Sequence, residues 1–138
     1  MSNKILIVDD IPKNIQMAMN ILKNEKYKMF YAKSGQMALD LICEHNFDLI
    51  LLDIMMPEMT GFEVCSKLKN DEKTKNIPII FLSGKDSTQD IEKAYEVGGM
   101  DYVVKPFITI ELIKKVNSYV RLKQLEDRFK TLEGQYND

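Results

Sequence analysis

The sequence predicts an α/β fold in which a (βα) unit repeats five times around a doubly wound parallel sheet. Three observations carry that reading. Short apolar runs of strand-forming residues alternate with stretches whose apolar residues recur every three or four positions. Strands separated by helices require right-handed crossovers, which put helices on both faces of a parallel sheet. At 138 residues the chain has room for one domain with a sizeable core.

The elements follow in order. Residues 4–8, KILIV, form the first buried strand, and Pro12 suits the first turn of a helix, where no backbone N–H is needed. Ile15, Met19 and Leu22 then recur at helical spacing. Residues 28–33 read as extended, and Ser34 can cap a helix that carries Met37, Ala38, Leu41 and Ile42 on one face. Residues 48–52 are a second buried strand, punctuated afterwards by Pro57, and Thr60 can cap a helix with Phe62, Val64, Cys65 and Leu68. Residues 77–83, IPIIFLS, are an apolar strand with Pro78 confined to its start. Ser87 or Thr88 can open the next helix, with Ile91, Ala94, Tyr95 and Val97, and Gly98 and Gly99 stop it. Residues 101–105 are the fifth strand, and a last helix starts near Thr109.

Composition excludes several function classes. Hydrophobic residues make up 45% and charged residues 29%, and the net charge of −2 supplies no broad basic field for nucleic acid or anionic membrane. No apolar stretch approaches the roughly 18 residues that span a bilayer. The opening MSNKILIVDD has too few apolar residues for a secretory leader, so a cytoplasmic location is expected. Cys43 and Cys65 form no CxxC pair and are expected as reduced packing residues. There is no GxGxxG after the first strand and no GxxxxGK[ST], so the usual nucleotide cradles are missing.

The chemistry is concentrated at strand ends. Ligands of open α/β sheets bind outside the carboxyl ends of the strands, and Asp9, Asp10, Asp53, Ser83 and Lys105 all fall there. Any one of these residues alone reads as a cap, a turn residue or a solvated charge; the five together on one sheet edge read as a site. Crowded carboxylates raise one another's pKa and attract a divalent cation. Hard oxygen donors without His or Cys favour Mg²⁺ over Zn²⁺, with Mn²⁺ as the alternative ion. Neighbouring strand residues point to opposite faces, so Asp9 and Asp10 share a site only if the strand has already ended. Lys105 and Ser83 can bind a tetrahedral anion, and Asp53 can act as a nucleophile toward phosphorus.

The segments ILIVDD, DLILLDIMMPEMTGFEVC, IPIIFLSGKD and GGMDYVVKPF, in this order and spacing, resemble the receiver domain of bacterial two-component response regulators over roughly residues 3–122. The resemblance implies a flavodoxin-like sheet of order 2-1-3-4-5, an arrangement for which the flavodoxin and chemotaxis-regulator folds are the standing examples. It implies that Asp53 accepts a phosphoryl group from a phosphohistidine of a sensor histidine kinase or phosphotransfer protein. Asp10, Asp53 and the backbone carbonyl of Met55 would hold Mg²⁺, with Asp9 acting through water. Lys105 and Ser83 would hold phosphoryl oxygens, and Lys105–Pro106 would be cis. Tyr102 matches the aromatic switch position, so that phosphorylation would remodel the face made by the fourth helix, fifth strand and fifth helix and thereby control an output domain or partner protein.

Two positions sharpen the pattern. Met55 stands two residues after Asp53, where many relatives carry a polar side chain, and Lys85 stands two after Ser83; both flank the expected path of a hydrolytic water. A Mg²⁺-dependent phosphatase with an aspartyl-phosphate is the enzymatic alternative, but it needs an aspartate where Met55 stands. A receiver-like module that is never phosphorylated is the other, and the intact acid, hydroxyl and lysine set opposes it. The lone histidine, His45, reads as a helix-terminus residue rather than a phosphodonor.

Residues 1–122 thus read as the receiver and 123–138 as a helical extension or linker. In that tail Leu122, Leu125, Phe129, Leu132 and Tyr136 repeat at intervals of 3, 4, 3 and 4. The last helix is expected to run to about Glu133 and stop at Gly134, and the apolar seam suits a homodimer.

Overall fold

The computed structural model describes residues 3–84 and 88–136. The sheet has five parallel strands: β1 (Lys4–Val8), β2 (Lys28–Ala32), β3 (Leu49–Asp53), β4 (Ile79–Ser83) and β5 (Asp101–Val104). Their order is β2-β1-β3-β4-β5. The helices are α1 (Pro12–Leu22), α2 (Gly35–Glu44), α3 (Gly61–Lys69), α4 (Thr88–Glu96) and α5 (Thr109–Tyr136).

Every residue of β3 and β4 is buried, as a near-continuous apolar run requires when helices cover both faces. Alternate strand residues feed two separate cores. Leu6, Val8, Ile50, Leu52, Ile79 and Phe81 pack with Ala38, Ile42, Val64, Cys65, Leu68 and Ala94 of α2, α3 and α4. Ile5, Ile7, Leu49, Leu51, Ile80 and Leu82 pack on the other face with Ile15, Ala18 and Leu22 of α1 and with Leu112, Val116 and Val120 of α5.

Helix ends follow the expected chemistry. Pro12 occupies the first turn of α1. The Ser34 hydroxyl accepts from the Met37 N–H at 3.1 Å, and the Thr60 hydroxyl accepts from the Glu63 N–H at 3.2 Å. Gly98 ends α4 at φ +106°, in the left-handed region open to glycine. Ser87 lies outside the described residues.

Several boundaries and faces differ from expectation. β4 begins at Ile79 rather than residue 77, because Pro78 has no N–H to give the ladder. β3 is displaced by one residue, so Asp53 is its last member rather than the residue after it. Met37 is 40% exposed and Tyr95 is 47% exposed, so neither is a core residue of its helix. Cys43 is an exposed free thiol, whereas Cys65 is buried. The last helix passes through Gly134 to Tyr136; a lone glycine weakens a helix by only about 1 kcal/mol and does not by itself stop one. His45 is the residue that caps the end of α2, with its ring 4.6 Å from that of Phe30.

Candidate functional site

The strand order reverses beside β1: the chain leaves β1 toward β2 on one side and reaches β3 on the other. The crevice outside the carboxyl ends of β1 and β3 is therefore the switch point. Val8 lies opposite Leu52 in the parallel register, so Asp9 and Asp53 come out next to each other. On the far side, Leu82 lies opposite Asp53, and the Lys105 N–H donates to the Ser83 carbonyl at 2.7 Å. The strand ladder thus gathers Asp9, Asp53, Ser83 and Lys105 at one edge.

Asp9 and Asp10 share that edge because β1 has ended at Val8. The Asp9 carboxylate accepts the Ile11 N–H at 3.0 Å, turning the chain into α1. One carboxylate oxygen from each of Asp9, Asp10 and Asp53 lies within 4.8 Å of the others. Asp9 is fully buried, Asp53 and Ser83 are 5% exposed, and Asp10 is half-buried. The Lys105 ammonium reaches in to donate to Asp9 Oδ2 at 2.8 Å and to Asp53 Oδ1 at 3.2 Å. Met55, Asp10, Asp53, Ser83 and Lys105 line one open cavity.

The electrostatics follow from this crowding. Burial raises the Asp53 carboxyl, the neighbouring Asp9 and to a lesser degree Asp10 raise it further, and Lys105 only partly offsets them, leaving it at about 6. Burial works against the charge on Lys105, but its hydrogen bond to Asp9 and the field of Asp53 prevail, and its pKa is raised. Among the described residues, three carboxylates face one lysine, so these groups hold more negative charge than Lys105 compensates. Oxygen donors alone, partly withdrawn from water and short of positive charge, fit a hard divalent cation such as Mg²⁺.

Tyr102 is half-buried on β5, paired with Phe81 in the register. Its ring makes an edge contact with Tyr95 of α4 at 6.3 Å, and the Lys115 ammonium of α5 lies 5.4 Å from its centre. The Lys105–Pro106 bond is cis. Lys85 lies outside the described residues.

Three contributors were missed in the sequence reading. Gly61 opens α3 with its backbone against the end of β3: a Cβ there would sit 2.1 Å from the Asp53 carbonyl oxygen. Its place in MMPEMTGFE, just inside a Thr cap, was the available signal. Asp90 of α4 lines the same cavity. Asp101 organises the α4-β5-α5 face, accepting from Lys115 at 3.3 Å and from the Tyr119 hydroxyl at 3.1 Å; burial first, then that bond, pushes the Tyr119 hydroxyl up to about 12.

Comparison with known proteins agrees with this geometry. The family model of the response regulator receiver domain matches residues 5–117. The chain is 42% identical over 124 residues to a probable cyclic di-GMP phosphodiesterase of Vibrio cholerae, covering 89% of this chain and 28% of that protein. It is 38% identical over 134 residues to the response regulator PleD of Caulobacter vibrioides, covering 97% and 30%. Among solved structures, the chemotaxis response regulator CheY4 of Vibrio cholerae superposes with a TM-score of 0.80 at 31% identity, covering 86% of this chain and 99% of that one. The chain therefore spans under a third of these two curated relatives, and among the described residues no helix is long and apolar enough to cross a membrane. By its family match, its strand order and its strand-end residues, the chain belongs to the response regulator receiver domains.

Proposed function

We propose that this receiver accepts a phosphoryl group on Asp53 from a phosphohistidine of a sensor histidine kinase or phosphotransfer protein. The observation that carries the reading is Asp53 itself: a nearly buried carboxylate at the switch point, with its pKa raised and one oxygen 3.2 Å from Lys105. A free Asp53 oxygen attacks phosphorus, the O–P bond forms, the N–P bond to the donor imidazole breaks, and the imidazole leaves with the electron pair and takes a proton. Lys105 is anchored to Asp9 at 2.8 Å, so its remaining donors can turn from Asp53 to the incoming oxygens without losing that hold. The Ser83 hydroxyl, at the end of the neighbouring strand, would hold a second oxygen.

Mg²⁺, held by Asp10, Asp53 and the Met55 carbonyl with Asp9 acting through water, would supply charge neutralisation at the transferring phosphoryl group. Asp9 and Lys105 position the nucleophile from the chain's own side. New phosphoryl charge drawing Ser83 inward would give Tyr102 room to move between Tyr95 and Lys115, and so reshape the α4-β5-α5 surface presented to an output domain or partner. The setting is the cytoplasm, where such kinases expose their phosphohistidine.

A phosphatase reading finds no support at Met55, whose thioether side chain is 71% exposed and can neither give nor take a proton. Incubation with acetyl phosphate and Mg²⁺, followed by intact-mass measurement, separates the readings. Accumulation of one phosphoryl group supports the receiver. Turnover without accumulation indicates a phosphatase, and an unchanged mass with unconsumed donor indicates an inert module.

A further inference from the structure

The apolar stripe of α5 changes direction where the helix leaves the domain. Leu112, Val116 and Val120 are buried against the sheet. Beyond them Leu122, Leu125, Phe129 and Leu132 are 40%, 49%, 62% and 51% exposed. Leu122 and Glu126 border Asn76, Pro78 and Met100, which precede β4 and β5. The extension therefore departs from the sheet edge opposite the carboxylate cluster.

Set in a heptad frame, Leu122 and Phe129 take a positions and Leu125 and Leu132 take d positions. Arg121 and Arg128 then occupy g, and Glu126 and Glu133 occupy e, all four exposed. Lys123 and Asp127 sit at b and f, away from the seam, and pair with each other at 2.6 Å. The charges flanking the seam are thus sorted by sign: basic at every g, acidic at every e. In a parallel pair of helices each g faces the partner's e five residues on, which matches Arg121 with the partner's Glu126 and Arg128 with the partner's Glu133. Two-fold symmetry doubles both pairs. An antiparallel pair would instead set g against g and e against e, Arg on Arg and Glu on Glu.

We infer that residues 121–133 form a parallel, in-register coiled coil with a second copy of this chain. Charge complementarity selects both the occupant and the direction, because the stripe's own flanks are complementary to themselves only in parallel. Glu126 also lies in the field of Lys69, so the Arg128–Glu133 pair is the more discriminating of the two. The seam is shorter than the roughly three to four heptads of an autonomous coiled coil, so the dimer forms with rising concentration rather than at all dilutions. The inference goes beyond the phosphoacceptor reading and does not depend on it.

The test uses the full chain in a Cys43→Ser background. Sedimentation equilibrium is expected to show mass rising from monomer to dimer as concentration approaches about 1 mM, a range in which weak association registers. Arg121→Glu with Arg128→Glu, and separately Glu126→Arg with Glu133→Arg, should each self-associate roughly tenfold or more weakly. Mixing the two variants should restore the dimer, with circular dichroism confirming that each is folded. Leu132→Cys should oxidise to a covalent dimer, because residue 132 lies near one end of the seam and meets its own copy only in the parallel register. A chain monomeric throughout, variants that dimerise as well as the parent, or no covalent dimer from Leu132→Cys while the parent dimerises, would each overturn the inference.

Discussion

Asp53 carries a conflict between fold and chemistry. Its folded pKa of about 6 stands above the ordinary value of 3.8, so the folded state binds this proton more tightly than the unfolded chain does. The ionised form therefore penalises the fold above pH 6, and the penalty is relieved as pH falls from 6 toward 4. Asp53→Asn should stabilise the metal-free protein by about 1–3 kcal/mol at pH 7, and the gain should shrink near pH 4. Urea melts in EDTA at the two pH values check this; a less stable variant at pH 7 would mean that the Lys105 pairing outweighs burial and repulsion.

Asp10 is the more exposed acid of the cluster, and its field also raises Asp53. Asp10→Asn should weaken Mg²⁺ binding while leaving the metal-free fold at least as stable, read by metal titration and by urea melts. A clear loss of stability would assign Asp10 a structural hydrogen bond instead. Met55 cannot orient a water by hydrogen bonding, so the acyl phosphate should be comparatively long-lived. Met55→Asn should shorten its lifetime in a phosphate-release assay; an unchanged or longer lifetime contradicts that role.

At the scale of elements, the positions of the strands decide what the site contains. One residue of register in β3 determines whether Asp53 belongs to the ladder, and its membership is what buries it beside Asp9. Period and punctuation made all ten elements legible in the sequence, because an apolar run bounded by Pro, Gly or a capping hydroxyl marks where an element starts and stops; the end of α5, which runs through Gly134 to Tyr136, is the exception. Side-chain exposure was less legible: Met37 and Tyr95 fit a helical period yet lie at the margin of their faces. Close approaches between elements were not legible at all. Gly61 shows why, since its requirement comes from the Asp53 carbonyl, a partner that only the folded β3–α3 connection brings near. Gly61→Ala should destabilise the fold by about 1–3 kcal/mol, the usual range for overpacking, and slow phosphorylation by shifting Asp53. Melts and phosphorylation rates measured together check it; a variant with parental stability and rate would show that the loop yields freely.

Over the whole molecule, two surfaces occupy opposite edges of one sheet: the carboxylate cluster outside the carboxyl ends, and the exposed apolar stripe of α5 beyond the other edge. α5 is one continuous helix of 28 residues, about 42 Å at ~1.5 Å per residue, and Lys115 ties it to Asp101 and Tyr102 of β5. The five strand-end residues were legible as a set because a parallel sheet sends every carboxyl end to the same edge. The ion pairs among them were not, since which carboxylates Lys105 reaches depends on the turn after β5. The most direct test of the whole account is to map the phosphoryl group after reaction with acetyl phosphate and Mg²⁺, by mass spectrometry of proteolytic peptides. One phosphoryl group on the peptide containing Asp53, absent from Asp53→Asn and absent in EDTA, is the expected result. A phosphoryl group on any other residue, or none on the parent protein, would contradict the account.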